Sequence, residues 1–379
     1  MNSSITDTKL LSILDKVMQD KRLSVEDGVA LFESDDLAGV GCLADMARDQ
    51  RVGDKVYWVR NLHINYTDIC AKGCKFCAFA RILPEDGYVY SHEQTAREIG
   101  DYPGHLAEAH IVGGCNGKIP WEYYPEMIRT IKRVSPETHV KAFTMVELDF
   151  FARKFKRTIQ EVLDELLEAG LDACPGGGAE IFSTRLHSYM FRHKAGPERW
   201  LEVAEICHEQ GVKTNATMLF GHIETFHERA VHLDKLRELQ DKTGGFQAFI
   251  PLAYHADNND LEVEHGPGAQ DILKTVAVSR LMLDNFKHIK AYWILMGERL
   301  AQISLVFGAN DIDGTVMQEK IYHRAGAPTA MAVTPSRLRR LIKSAGRIPM
   351  ERDALYQSPA WADKDNRSER ALIPEPVAV

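Results

Sequence analysis

The sequence predicts an α/β fold, a parallel (β/α)8 TIM-type barrel with helical extensions before and after it. Three observations carry this reading. Seven runs read as buried strands, segments of helical periodicity separate them, and Leu62 to Asp313 spans about 250 residues, enough for eight units of roughly 30. Strand alternating with helix implies a parallel sheet, because parallel neighbours need a crossover connection. An open doubly wound sheet is the rival arrangement.

The elements follow in order. Residues 1–57 read as a helical extension, with Ser24-Val25-Glu26-Asp27 resembling a capping box ahead of "GVALFE". The barrel is expected over 58–313, with strands in "NLHINYT" (61–67), "EAHIVGG" (108–114), "HVKAFTMVE" (139–147), "LDACPGGGAE" (171–180), "VKTNATMLFG" (212–221), "GFQAFIPLAY" (245–254) and "HIKAYWILMG" (288–297). Between them, "TIQEVLDELLEAG" (158–170) sets Ile159, Val162, Leu163, Leu166 and Leu167 on one face and stops at Gly170, and "ERWLEVAEICHEQG" (198–211) stops at Gly211. The eighth strand is placed at "NDID" (310–313), after the helix-like "GERLAQISLVFGA". Residues 314–379 read as a C-terminal helical extension, with a helix started by "TPSRLRRLIKSAG" and a polar, proline-bearing tail from about Gln357 that is expected to be poorly ordered.

Composition narrows the function. Charged residues make up 26% and hydrophobic ones 45%, both near globular averages, and the formal net charge is −8. The basic runs Arg153–Arg157 and Arg337–Lys343 are short and suit solvated helix faces, so no nucleic-acid partner is expected. No apolar run approaches the ~18 residues of a membrane span, and the first residues lack a basic region followed by an apolar one. A cytoplasmic protein without a membrane partner is the expectation. Seven cysteines, few and odd in number, argue against a disulfide framework and for a reducing compartment.

Three of them fall within eight residues. In "NYTDICAKGCKFCAFAR", Cys70, Cys74 and Cys77 follow the first barrel strand, on the face where barrel active sites form. Structural zinc asks for four ligands, usually as two separated pairs, and a ferredoxin-type cluster asks for four thiolates. Cys115, Cys174 and Cys207 are isolated in sequence. A cluster held by three thiolates leaves one iron free to chelate the amino and carboxylate groups of a small molecule. The spacing C-x3-C-x-aromatic-C, with Phe76 as the aromatic, resembles the signature of radical S-adenosylmethionine enzymes. That resemblance implies a [4Fe–4S] cluster on Cys70, Cys74 and Cys77, with S-adenosylmethionine as co-substrate. Gly113-Gly114 resembles the superfamily segment whose bare backbone approaches the methionine amino group.

Polar residues gather at the expected strand ends: Glu147, Glu180, His222, Glu224, Tyr254, His255, Tyr292, Asp311 and Asp313. Any one of them could instead cap a helix or pair with an arginine. With the blocks "KAFTMVE", "PGGGAEIF", "NATMLFGHIET", "LQDKTGGFQAFIPLAYH", "SRLMLDNFKHIKAYW", "FGANDIDGTV" and "MERDALY", the chain from about residue 60 to 356 resembles the aminofutalosine synthase family of the futalosine route to menaquinone. The sibling cyclic dehypoxanthinylfutalosine synthases share much of this pattern. Asn116 stands where the synthases usually have histidine and looks more like the sibling. An iron–sulfur electron-transfer or sensor protein is the alternative from another class.

The resemblance implies addition of a 5′-deoxyadenosyl radical to the double bond of 3-[(1-carboxyvinyl)oxy]benzoate, then rearrangement and loss of carbon dioxide, giving 6-amino-6-deoxyfutalosine. The expected partners are this small molecule and a flavodoxin or ferredoxin-type electron donor, with a homodimer as the assembly. Candidate catalytic residues are His63, Glu147, Glu180, His222 and Glu224. Phe76, Gly113, Gly114, Glu147, Glu180 and Met218 are candidates for holding the co-substrate, with Glu147 or Glu180 accepting from ribose hydroxyls. Asn65, Arg185, His222, Lys290 and Asp311 are candidates for the substrate, Arg185, His63, His222 and Lys290 as carboxylate binders. Met218, Phe220, Ile250 and Pro251 could wall an aromatic group, and Cys174 is expected to point away from the radical.

Overall fold

The computed structural model describes residues 5–362. Ten strands occur among them: β1 (Lys55–Val59), β2 (Asn61–Ile64), β3 (Glu108–Ile111), β4 (His139–Ala142), β5 (Ala173–Cys174), β6 (Lys213–Phe220), β7 (Phe246–Ala253), β8 (His288–Ile289), β9 (Asp311–Gly314) and β10 (Ile348–Arg352). Strands β2 to β8 form one parallel sheet in sequential order, and β10, β1 and β9 form a second. The alternation of buried strand and amphipathic helix therefore produces the expected α/β architecture.

The gap between β8 and β2 is spanned by the chain around β9. On one side Asn310 N–H donates to Ile289 O at 3.0 Å and Ala291 N–H to Asp311 O at 2.8 Å. On the other, His63 N–H donates to Met317 O at 2.8 Å. The expected eighth strand thus exists, but it is shared: β9 also pairs with β1, and only isolated bridges tie its surroundings to β8 and β2. Since β1 runs straight into β2, the three-stranded sheet covers the N-terminal ends of the barrel strands. There Lys141 pairs with Glu108 at 2.8 Å and Arg352 with Asp311 at 2.8 Å, all four buried.

Several elements are shorter than their sequence runs. The run 139–147 ends as strand at Ala142, because Thr144 caps a helix from Met145 to Phe155 and Glu147 completes the capping box. Glu147 therefore sits in the first turn of a helix and not at a strand end. Strand β5 stops before Pro175, whose ring removes a ladder donor. The run 288–297 keeps two strand residues, and a helix begins at Trp293.

The N-terminal extension contains helices Lys9–Met18, Val25–Glu33 and Leu37–Val52, the second opened by the Ser24 capping box. It is followed by β1, so residue 57 lies inside a strand. Residues 357–362 are anchored through Trp361, which stacks on His105 at 4.9 Å and donates to Glu351 at 3.2 Å. The rest of the expected tail, 363–379, lies outside the described residues. Among the described residues no helix is long and apolar enough to cross a membrane.

Candidate active site

Two adjoining cavities open at the C-terminal ends of the barrel strands. The outer one is lined by Cys70, Cys74, Phe76 and Cys77, by Gly113, Gly114 and Cys115 after β3, and by Glu147, Glu180, Lys194, Leu219 and Tyr254. The inner one is lined by His63, Asn65, His110, Thr217, Ile250, Lys290, Tyr292 and Asp313, among others. Val112, Gly177, Leu252, Ile321 and Tyr322 line both, so the two share a wall.

The cysteine loop is fixed by its neighbours. Cys70 N–H donates to Arg81 O at 2.9 Å, Ala71 N–H to Cys115 O at 3.2 Å and Lys75 N–H to Met190 O at 2.9 Å. Cys115, remote in sequence, is brought beside Cys70, and its backbone N–H reaches Cys70 Sγ at 3.4 Å. The adjoining Cys115 pulls the Cys70 thiol down to about 6, whereas burial pushes Cys74 up to about 12. Gly114 permits the close approach of the two loops: a Cβ there would lie 2.3 Å from Ile69 O. Among the described residues no three His, Cys, Asp or Glu side chains close around the centre of a single ion. The three half-buried thiols instead rim one side of the cavity, a donor set suited to a polynuclear iron–sulfur group.

Glu147 organises the turn packed against the cysteine loop. Its Oε1 accepts from Tyr66 Oη at 2.9 Å and Gly113 N at 3.0 Å, and its Oε2 from Thr144 N and Oγ1, both at 2.8 Å. Four donors converge on one buried carboxyl, which burial nonetheless raises to about 7. Its acceptor capacity goes to holding the Gly113-Gly114 turn in place. Glu180, in the left-handed region at φ +48°, pairs with Lys194. Burial works against the Lys194 charge, but the Glu180 carboxylate outweighs it, and its ammonium stays protonated above the usual lysine range. That ammonium lies 5.5 Å from the centre of the Phe76 ring.

The inner cavity holds a stack of rings. His63 and His110, opposite each other in the β2–β3 register, stack at 4.5 Å, and Tyr292 lies near-parallel to His63 at 6.4 Å. His63 Nε2 and Tyr292 Oη are buried without a hydrogen-bond partner. Burial holds His63 well below the usual histidine range and Tyr292 well above the usual tyrosine range, so both are neutral at pH 7. Lys290 pairs with Asp313 at 3.2 Å, and Asn65 is spent on the backbone, donating to Val112 O and accepting from Lys320 N, each at 3.0 Å.

Other sequence candidates lie away from both cavities. His222 and Glu224 contact each other at 2.9 Å, and Glu224, bonded to His222 and to Arg229, is held far below the carboxylate range. Arg185 pairs with Glu228 at 2.7 Å on the surface. Asp311 faces the barrel floor, accepting from Arg352 and Tyr356 at 2.8 and 2.7 Å. Met218 is buried outside both linings, while its neighbours Thr217 and Leu219 reach the inner and outer cavities. Cys174 lines neither cavity and is fully buried. Asn116 is buried, with its side chain accepting from Lys118 N at 2.9 Å.

No motif in the sequence singles out Lys194, His110, Tyr322 or Glu319, the last a buried carboxylate of the inner cavity that accepts from Ile321 N at 2.7 Å and pairs with His323 at 2.9 Å. Alternation along Glu108, His110 and Val112 carries a signal for His110, since it shares a register with His63. Lys194 lies in a loop and Tyr322 in a segment read as an appended helical extension, and nothing local marks either one.

The sequence pattern of the radical SAM superfamily matches residues 64–236, and that of the CofH/MqnC C-terminal region matches 243–364. The chain is 45% identical to an aminodeoxyfutalosine synthase of Thermus thermophilus, over 93% of this chain and 96% of that protein. It is 41% identical to one of Streptomyces coelicolor, over 90% and 92%. A cyclic dehypoxanthine futalosine synthase of Halalkalibacterium halodurans is 34% identical, over 91% and 94%. Among solved structures, methylornithine synthase superposes with a TM-score of 0.70 at 17% identity, covering 89% of this chain and 96% of that one, a likeness of fold alone.

Proposed function

The chain belongs to the radical S-adenosylmethionine superfamily, in the branch of the aminodeoxyfutalosine synthases, and from that premise we propose that the outer cavity holds the cluster and S-adenosylmethionine while the inner cavity holds an enolpyruvyl aryl ether. The observation that carries this reading is the pair of cavities with a shared wall, one rimmed by three thiols and the other by neutral rings. The product is 6-amino-6-deoxyfutalosine, formed by joining the 5′-deoxyadenosyl carbon to the alkene of 3-[(1-carboxyvinyl)oxy]benzoate with loss of carbon dioxide.

The residues suit the groups they would hold. Cys70, Cys74 and Cys77 would hold the [4Fe–4S] cluster. When bound there, the cluster would supply the one-electron reduction that cleaves the sulfonium of S-adenosylmethionine. Glu147 fixes the Gly113-Gly114 backbone, so this turn can approach the methionine end without a side chain in the way. Lys194 and Glu180 offer one charge of each sign to the amino acid and ribose parts of the co-substrate. Leu252, Ile321 and the Tyr322 ring on the shared wall, with Leu219 in the outer cavity, present apolar surface that would keep water from the reacting carbon. The buried placement of Cys174 removes one thiol hydrogen donor from that path.

A one-electron carrier of flavodoxin or ferredoxin type fits the face over the cysteine loop. Lys72 of that loop packs over Phe150 and Lys75 over Tyr189, two cationic side chains on a chain whose net charge is −8. The surface-near thiols fit a reducing, cytoplasmic setting. The test is anaerobic incubation of the reconstituted, reduced protein with S-adenosylmethionine and the enolpyruvyl benzoate, followed by mass measurement of the nucleoside product. Retention of the adenosyl carbon in an adduct supports the synthase. Free 5′-deoxyadenosine in proportion to turnover points to the sibling cyclisation and sinks the reading.

A further inference from the structure

The geometry points to His63 and Tyr292 as a clamp for the ring carboxylate of the aryl substrate in the inner cavity. The inference rests on the two-cavity reading above and names a contact which that reading leaves open.

Orientation comes first. The alkene must meet a carbon delivered from the outer cavity, so the enolpyruvyl end lies near the shared wall of Val112, Gly177, Leu252, Ile321 and Tyr322. The ring substituent then projects to the residues that line the inner cavity alone. Among these, Asn65 is bonded on both sides to backbone, Thr217 donates to Gly176 O at 2.8 Å, Glu319 pairs with His323 at 2.9 Å, Lys290 is held by Asp313, and Asp313 is also bound by Asn61 at 3.0 Å.

What remains without a partner is His63 Nε2 and Tyr292 Oη. Polar atoms buried in this way are costly unless a ligand completes them. The rings that carry them are near-parallel, at an interplanar angle of 10°, and both border the same space. His110 packs on His63 at 4.5 Å and Tyr322 stands edge-on to Tyr292 at 5.8 Å, so neither ring is free to turn away. With the histidine in its Nε2–H tautomer, one neutral N–H donor and one neutral O–H donor are carried by two rings that line the same cavity. Neutral donors bind a carboxylate without a second buried counter-ion, and the Lys290 ammonium lines the same cavity. Val112, Pro175, Ile250 and Leu252 supply apolar walls for the ring itself.

The test uses the cluster-loaded, anaerobic protein and two probes: the enolpyruvyl benzoate, and the phenyl ether that lacks the ring carboxylate. Tyr292→Phe removes one oxygen and keeps the ring. It should raise the KM for the benzoate by about ten- to a hundredfold, leave the phenyl ether's affinity unchanged, and leave the EPR change on adding S-adenosylmethionine as in the unmodified protein. His63→Gln should show the same selectivity between probes. Since the phenol has no partner, the thermal midpoint of Tyr292→Phe should equal or exceed the unmodified one. Equal affinity of Tyr292→Phe and the unmodified protein for the benzoate overturns the inference, as does parallel loss of both probes. If the unmodified protein forms no adduct from the benzoate at all, the two-cavity reading fails and the clamp with it.

Discussion

Replacing Gly114 by alanine should cost the protein its cluster well before it costs the protein its fold. An added Cβ would lie 2.3 Å from Ile69 O, 2.8 Å from Ile69 C and 3.0 Å from Cys70 Cβ. Carbon and carbonyl oxygen ordinarily rest about 3.3 Å apart, so the two loops must separate by roughly 1 Å. The first two of those atoms are backbone, so no rotamer change relieves the clash. Both loops are also pinned, by Gly114 N–H to Thr67 O at 2.8 Å and Cys70 N–H to Arg81 O at 2.9 Å. Overpacking of this kind costs about 1–3 kcal/mol of stability, which a large barrel tolerates. Metal–ligand distances, by contrast, hold within about 0.2 Å, and a Cys70 displaced by 1 Å relative to Cys74 and Cys77 misses that tolerance several-fold. The assay is iron and acid-labile sulfide per chain after anaerobic reconstitution, beside urea unfolding of the cluster-free protein. Gly117→Ala is the control, because its Cβ would meet only Lys154 Nζ at an ordinary 3.7 Å. Full iron content and an unaltered EPR spectrum in Gly114→Ala would refute the reasoning.

Further outcomes follow from the same geometry. Cys74→Ser should lose iron and product, while Cys115→Ala should keep the full complement of iron, since three thiolates suffice; iron loss in Cys115→Ala would mean that the protein supplies a fourth ligand. Lys194→Met leaves the Glu180 carboxylate buried without its partner and should destabilise the fold by about 3 kcal/mol in urea unfolding, with part of the loss recovered when Glu180→Gln is added. Glu147 is raised from 4.5 to about 7, so the folded state binds its proton more tightly. The stability from that proton is present in full below about pH 4.5 and lost as pH rises to about 7, about 3 kcal/mol in all. In unfolding measurements across pH 5 to 8, the stability of the unmodified protein relative to Glu147→Gln should fall with rising pH, and a flat difference would show the carboxyl is not perturbed.

The fold was legible because its signals are local and repeated. Buried runs, helical faces and stop glycines such as Gly170 recur at each unit, so one misread boundary does not disturb the rest. Boundaries failed where a cap competes with a strand: Thr144 and Glu147 begin a helix inside an apolar run that reads as continuous. The cysteine loop was legible because its chemistry is confined to eight residues. The rest of the site is assembled from distant segments. Lys194 comes to Glu180 from the next loop, and Tyr322 comes to both cavities from beyond the eighth strand. Strand-end position alone did not tell His222 and Glu224, which bond each other, from Glu180, which faces the outer cavity. The deciding fact in each case is a partner far away in sequence.

The shared wall and the barrel floor have a consequence for how the protein is made. Half of the inner cavity's lining lies after residue 243, and β10 at 348–352 pairs with β1 at 55–59 to complete the floor. Arg352 joins the buried charges Asp311 and Glu108 only when that strand arrives. During translation the cysteine loop emerges early and waits for most of the remaining chain before the chamber that shelters it can close. Delivery of iron and sulfur to that loop then has a natural order relative to folding: thiols near the surface can be loaded after the barrel shuts, whereas the aromatic stack at His63 and Tyr292 exists only once the late segments have docked.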